Sequence, residues 1–203
     1  MITRRLATGL FGCALLTFVL GGSAAAQEPR GLFQVLGGVT STANEKPFFG
    51  GTLGGRLTGW LELSGEFGKM QDVVPPSVRD RVIGLGGTDP RVPAIYGLVH
   101  LRFIQPHGVV RPFVSAGAGF AQLLPQGGEG AAVTVALFPA DNRSKPAVAL
   151  GGGLRFGFGS NVDIDAGYRY LRIYSDYQID TNTSNDKVLT NVSCVYGALG
   201  IRF

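Results

Sequence analysis

The stretch 50-GGTLGGRLTGWLELSGEFGKM-70 decides how this chain is to be read. Leu53, Leu57, Leu61, Leu63 and Phe67 all fall on one side of an extended backbone, whereas Arg56, Glu62 and Glu66 fall on the other. Such two-residue alternation is the signature of a strand with two different faces. A helix is disfavoured, because glycine recurs throughout the stretch and each one costs about 1 kcal/mol in a helix interior. "TGW" (58–60) then reads as the tight turn between two antiparallel strands, Phe48–Thr58 and Trp60–Met70.

The same template recurs outward from this hairpin in both directions. It predicts eight strands: Leu32–Ser41, Phe48–Thr58, Trp60–Met70, Ala94–Ile104, Arg111–Gln122, Ala147–Phe158, Val162–Tyr174 and Asn191–Phe203. Each is close to the roughly 9 to 11 residues that a tilted strand needs to cross a bilayer core. The connections alternate in length. Those at 71–93, 123–146 and 175–190 are long, whereas "TGW" (58–60) and "GSN" (159–161) are tight. This is the asymmetry of extracellular loops against periplasmic turns.

Alternation alone does not say which face is outside, since a water-soluble barrel would turn its apolar face inward. Lysine separates the two cases. Lys46, Lys69, Lys145 and Lys187 all lie in expected loops or at strand ends, whereas a water-facing sheet carries lysines at mid-strand. The polar face holds Arg56, Arg102, Arg155, Arg169 and Arg202 against Glu62, Glu66, Asp163 and Asp165, together with His100. Nearly balanced arginines and carboxylates suit forked pairing in a confined space. Each such arginine turned to lipid would cost roughly 2–4 kcal/mol at the midplane. The charges are therefore expected to line the lumen, and the apolar face (Ile95, Val99, Leu101 and Phe103 on one strand, for example) to meet lipid. Trp60, Phe103, Phe158 and Phe203 would form the periplasmic aromatic girdle, with Phe48, Phe49 and Tyr174 near the other interface.

The amino terminus is set apart from this pattern. Arg4 and Arg5, the apolar run Leu6–Leu20 and Ala24-x-Ala26 form a secretory signal peptide over residues 1–26, which leaves residues 27–203 as one domain. Cys13 is a poor lipidation site, because bulky Phe11 precedes it and the apolar run continues past it. Without Arg4 and Arg5, sixteen Lys and Arg oppose fourteen acids, a balance that gives no reason to expect nucleic acid as a partner. Cys194 is left without a partner for an internal disulfide. Two histidines and one cysteine cannot assemble a zinc site, and "GLGGTDP" (84–90) and "LGGGLRFG" (150–157) lack a phosphate-loop motif. No cofactor or metal is expected.

With its signal peptide, the 50–70 hairpin, "RPFVSAGAGFAQ" (111–122) and the closing "GALGIRF" (197–203), the chain resembles the OmpA/OmpX-type small outer-membrane β-barrel domains. The resemblance covers the whole of residues 27–203 and implies an eight-stranded antiparallel transmembrane barrel of the up-and-down type. It implies a place in the bacterial outer membrane, with lipid and lipopolysaccharide as neighbours. It further implies that Val195, Leu199, Ile201 and Phe203 form the signal read by the assembly machinery, with periplasmic chaperones as partners during biogenesis. No peptidoglycan-binding domain is expected after Phe203.

Three functions fit such a barrel. A structural or surface-interaction role needs only a filled lumen, with the long loops as a binding surface for a ligand the sequence does not name. A narrow pore or small hydrophobic-ligand conduit needs space, which Ser115, Gly117, Gly119, Gly151 and Gly153 would leave. A lipid A-modifying enzyme needs a nucleophile and base in reach of each other. In that family's deacylases a serine follows the catalytic histidine by two residues, but "HLR" at His100 and "HGV" at His107 offer none. The reading is a non-enzymatic barrel with a lumen filled by ion pairs.

Overall fold

The computed structural model describes residues 31–40, 45–84, 91–124, 144–159, 161–174 and 189–203. The signal-peptide segment, most of the 123–146 connection including 131–138, and most of 175–190 lie outside the described residues. Eight strands form one closed barrel in sequence order: β1 (Gly31–Thr40), β2 (Lys46–Arg56), β3 (Leu61–Met70), β4 (Ala94–Ile104), β5 (Val110–Leu123), β6 (Lys145–Phe158), β7 (Val162–Ile173) and β8 (Thr190–Arg202). Every neighbouring pair is antiparallel, and β8 returns to pair with β1 from Leu32↔Arg202 to Thr40↔Cys194. The barrel expected from the alternation is the barrel observed.

Closure pairs the last strand with the first. Gly31 donates its N–H to the Phe203 carbonyl at 2.8 Å, and Phe203 donates back to Gly31 at 3.1 Å. No sheet edge is left to recruit another chain. The tight connections follow from local chemistry. Gly159 and Gly108 hold positive φ, +68° and +111°, in the turns before β7 and β5, a region that L side chains rarely adopt.

The two faces divide as the alternation requires. Phe67 is 66 % exposed and Leu150 62 %, and they stand in an apolar outer belt with Phe33, Val35, Val99, Val114, Ile164 and Leu199. Among the described residues no helix is long and apolar enough to cross a membrane, so the strands provide the apolar surface. Trp60 stacks on Phe103 at 5.6 Å at the turn end, where Phe158 and Phe203 are also exposed.

Two sequence expectations are corrected. Phe48 is completely buried and belongs to the interior, because it shares the parity of inward-facing Thr52 and Arg56; Phe49, 63 % exposed, holds the interface with Tyr174. The 71–93 connection, expected as a long loop, also holds regular structure. It carries a helix, α1 (Pro76–Gly84), and packs Val73, Val74, Val78 and Val92 onto the barrel's interior cluster with Met70, Ala94 and Leu123. Pro76 opens the helix where its missing N–H is harmless, and the Pro75 carbonyl accepts from Val78 and Arg79.

Candidate functional site

The described polar chemistry is concentrated in the lumen, and strand register stacks it in layers. At the turn end, β7 presents Asp163 between β5 and β8. Arg111 donates to Asp163 at 2.7 Å, and Arg202 does so at the same distance. Arg111 lies over Gly157, where a Cβ would sit 3.1 Å from the guanidinium.

The central layer follows from the pairings Arg56↔Glu62, Glu62↔Arg102 and Arg155↔Asp165. Arg155 donates to Asp165 through Nε at 2.7 Å and Nη2 at 3.0 Å, and to Glu62 through Nη1 at 2.6 Å. Arg102 donates to Asp165 at 2.8 Å and lies 3.9 Å from Glu62; Arg56 approaches Glu62 at 3.6 Å. Gln34 completes the layer by donating to Asp165 at 2.8 Å. Arg155 and Asp165 are both 0 % exposed. A charge taken this far from water is tolerable only when fully paired, which the shared fork geometry provides.

Above it, Glu66 accepts from Arg169 and from the Tyr96 hydroxyl, the latter at 2.8 Å, with His100 Nε2 at 3.6 Å. The Arg169 guanidinium also faces the rings of Tyr96, Phe48 and Tyr196 at 5.4 to 5.6 Å, so its desolvated surface meets π-faces. Cys194 is buried on β8 at the register position of Arg169. Beyond it lies an apolar cluster of buried side chains, Phe48, Met70, Val73, Val74 and Val92 among them. Asp72 anchors this cluster by accepting from the Val74 and Val92 amides at 3.1 and 3.2 Å and from Arg79 at 3.4 Å.

The structure therefore brings Arg56, Glu62, Arg102, Arg155 and Asp165 into one cluster, Asp163 and Arg202 into a second, and Glu66 and Arg169 into a third. Sequence reasoning missed Gln34, Tyr96 and Arg111. All three lie on lumen-facing positions, so face parity was the available signal, and Arg111 was obscured only by its place at a strand start. Beside Ser115, Gly117, Gly119, Gly151 and Gly153, where the alternative of a narrow pore needs space, the four glycines lie against close neighbours. A Cβ on Gly117 would meet the His100 ring at 2.6 Å, and one on Gly151 would meet the Tyr168 carbonyl at 2.8 Å. On Gly119 and Gly153 it would run into the backbone of Gly97 and Ala166. Val195, Leu199, Ile201 and Phe203 stand on the lipid side, all more than half exposed.

A closed meander of this size, apolar outside and ion-paired inside, is matched by the family model for the outer membrane protein β-barrel domain across residues 11–195. The chain belongs to that family. This outer-membrane barrel also resembles solved structures at the level of fold. Neisserial surface protein A is 12 % identical with a TM-score of 0.57, covering 88 % of this chain and 99 % of its own. OprH of Pseudomonas aeruginosa, solved in DHPC micelles, is 18 % identical with a TM-score of 0.55 and coverage of 86 % and 99 %. The N-terminal β-barrel domain of OprF from the same organism is 17 % identical with a TM-score of 0.52 and coverage of 87 % and 100 %. No curated protein matches the sequence. The protein resides in the outer membrane.

Proposed function

We propose that this outer-membrane barrel is a non-enzymatic structural and surface-interaction protein whose lumen is sealed by its arginine–carboxylate layers. The observation that carries the reading is the central layer, where Arg155 and Asp165 are wholly buried and tied to Glu62, Arg102 and Gln34. Eight strands give an interior just wide enough for side chains to fill. The apolar cover between Met70 and Ala94 adds a second barrier above the charges. Its partners on this reading are outer-membrane lipid and lipopolysaccharide, with the assembly machinery reading the lipid-facing Val195, Leu199, Ile201 and Phe203 during insertion.

A catalytic role is opposed by the position of His100, which is buried in the lumen between Glu66 and Gly117, out of reach of an acyl chain in either leaflet. Planar bilayers containing the purified protein test the sealed lumen: a flat baseline is expected, and steady stepwise conductance would overturn it. Mass spectra of lipid A from overexpressing cells test the absence of chemistry. They are expected to be unchanged, and a modification lost in His100→Ala would defeat the non-enzymatic reading.

A further inference from the structure

We propose that the turn end of the lumen is a binding site for one phosphate group, held by Arg111 and Arg202. Both guanidinium groups converge on a single carboxylate oxygen, since Arg111 Nη2 and Arg202 Nη2 each donate to Asp163 Oδ1 at 2.7 Å. Arg202 Nε also contacts Asp163 Oδ2. One carboxylate cannot neutralise two cations. Arg111 is itself buried, and its Nε has no hydrogen-bond partner. A buried donor of this kind, on a charged group, carries an unmet demand for an acceptor. The guanidinium is held closely in place: a Cβ at Gly157 would sit 3.1 Å from Arg111 Nη2 and 3.7 Å from Asp163 Oδ1.

The neighbouring acids are already engaged. Glu62 and Asp165 serve Arg56, Arg102 and Arg155 in the central layer, and Glu66 serves Arg169 above it. The Phe203 carbonyl oxygen, at the same end, accepts from the Gly31 amide. The lumen charges described above are thus six arginines against four carboxylates, and because Glu66 and Arg169 balance each other, the positive excess lies toward the turns. Like charges in a water-poor interior repel, and a bound anion offsets that cost. The side chain of Arg202 keeps 12 % exposure, whereas that of Arg155 above it has none, so the site opens toward the turn end. Phosphate suits it. Its several acceptor oxygens match guanidinium forks, and its charge at neutral pH exceeds that of a carboxylate. The narrow interior of an eight-stranded barrel admits inorganic phosphate or the terminal group of a phosphate monoester.

The purified protein, folded in the phosphate-free detergent octyl glucoside, is titrated by calorimetry at constant ionic strength with inorganic phosphate, glycerol 3-phosphate, acetate and chloride. Saturable binding of one phosphate group per barrel is expected, with acetate and chloride much weaker. R202Q and R111Q should each weaken it about tenfold while the unboiled protein still migrates as a folded barrel. G157A, which presses on the Arg111 guanidinium and removes no charge, should weaken it as well, and so keeps the test open if an arginine variant fails to fold. K69Q removes a charge at the opposite end of the barrel and should bind like the parent. Tighter binding of glycerol 3-phosphate than of inorganic phosphate would support the site with a monoester as its ligand, and the reverse would support it with the free ion. Absence of saturable binding, equal binding of acetate or chloride, or equal losses in R202Q and K69Q would each overturn it. Stepwise conductance with phosphate binding intact would remove only the sealed-lumen reading.

Discussion

Asp165 shows what one side chain does in this lumen. It accepts from Arg155, Arg102 and Gln34, none of which is on a neighbouring residue in sequence. Asp165→Ala would leave two guanidinium groups buried without their main acceptor, and an expected loss of about 3–5 kcal/mol in urea unfolding from lipid vesicles follows from breaking a buried pair. The double variant Asp165→Ala, Arg155→Met should lose less than the sum of the single losses, since it removes the stranded charge together with its acceptor. Strict additivity would mean that water already screens the pair. A second contrast separates lumen glycines from lipid-facing ones. Gly117→Ala must displace the His100 ring, with an expected cost of about 1–3 kcal/mol. Gly197→Ala meets only the Asp165 carbonyl at 3.8 Å and should stay within about 0.5 kcal/mol of the parent in the same unfolding measurement. The arginines and carboxylates themselves were legible from parity; their partners were not, because the Gln34–Asp165 contact spans 131 residues of sequence.

Among the elements, the strands and α1 contrast in how visible they are. Each strand repeats its alternation for ten or more residues, long enough to stand out against glycine and turn residues. The helix occupies nine residues, contains arginines and begins on the second of paired prolines, so no apolar stripe of helical period marks it. Its position depends on Asp72, which reaches the Val92 amide twenty residues away and so joins the two ends of the connection. Asp72→Ala is expected to release this cover without opening the barrel. Amide exchange over residues 73–92 should accelerate and proteolysis in that connection should come earlier, while the unboiled protein still migrates as a folded barrel. Unchanged exchange at Val74 and Val92 would show that apolar packing alone holds the cover.

For the whole molecule, closure turns eight individually marginal strands into one unit, since the two edge strands are paired only when β8 meets β1. Phe203 sits at this seam with its ring against Gly31, where a Cβ would come within 2.6 Å of it. If the lipid-facing terminal residues are also the insertion signal, Phe203→Ala should lower the amount of folded protein in outer-membrane fractions and leave refolding in detergent micelles nearly intact. Equal losses in both would assign Phe203 to closure alone. The sequence by itself determined that strands form, which face meets lipid and which charges are enclosed. Those are consequences of a local two-residue geometry and of the cost of placing charge in hydrocarbon. Only the tertiary structure decided that Arg155 pairs with both Glu62 and Asp165, that Phe48 is inside, that His100 fills the space beside Gly117, and that Val73, Val74, Val78 and Val92 of the 71–93 connection join the interior cluster. Each of these depends on register and on side chains reaching across a cylinder, distances that no local pattern of residues encodes.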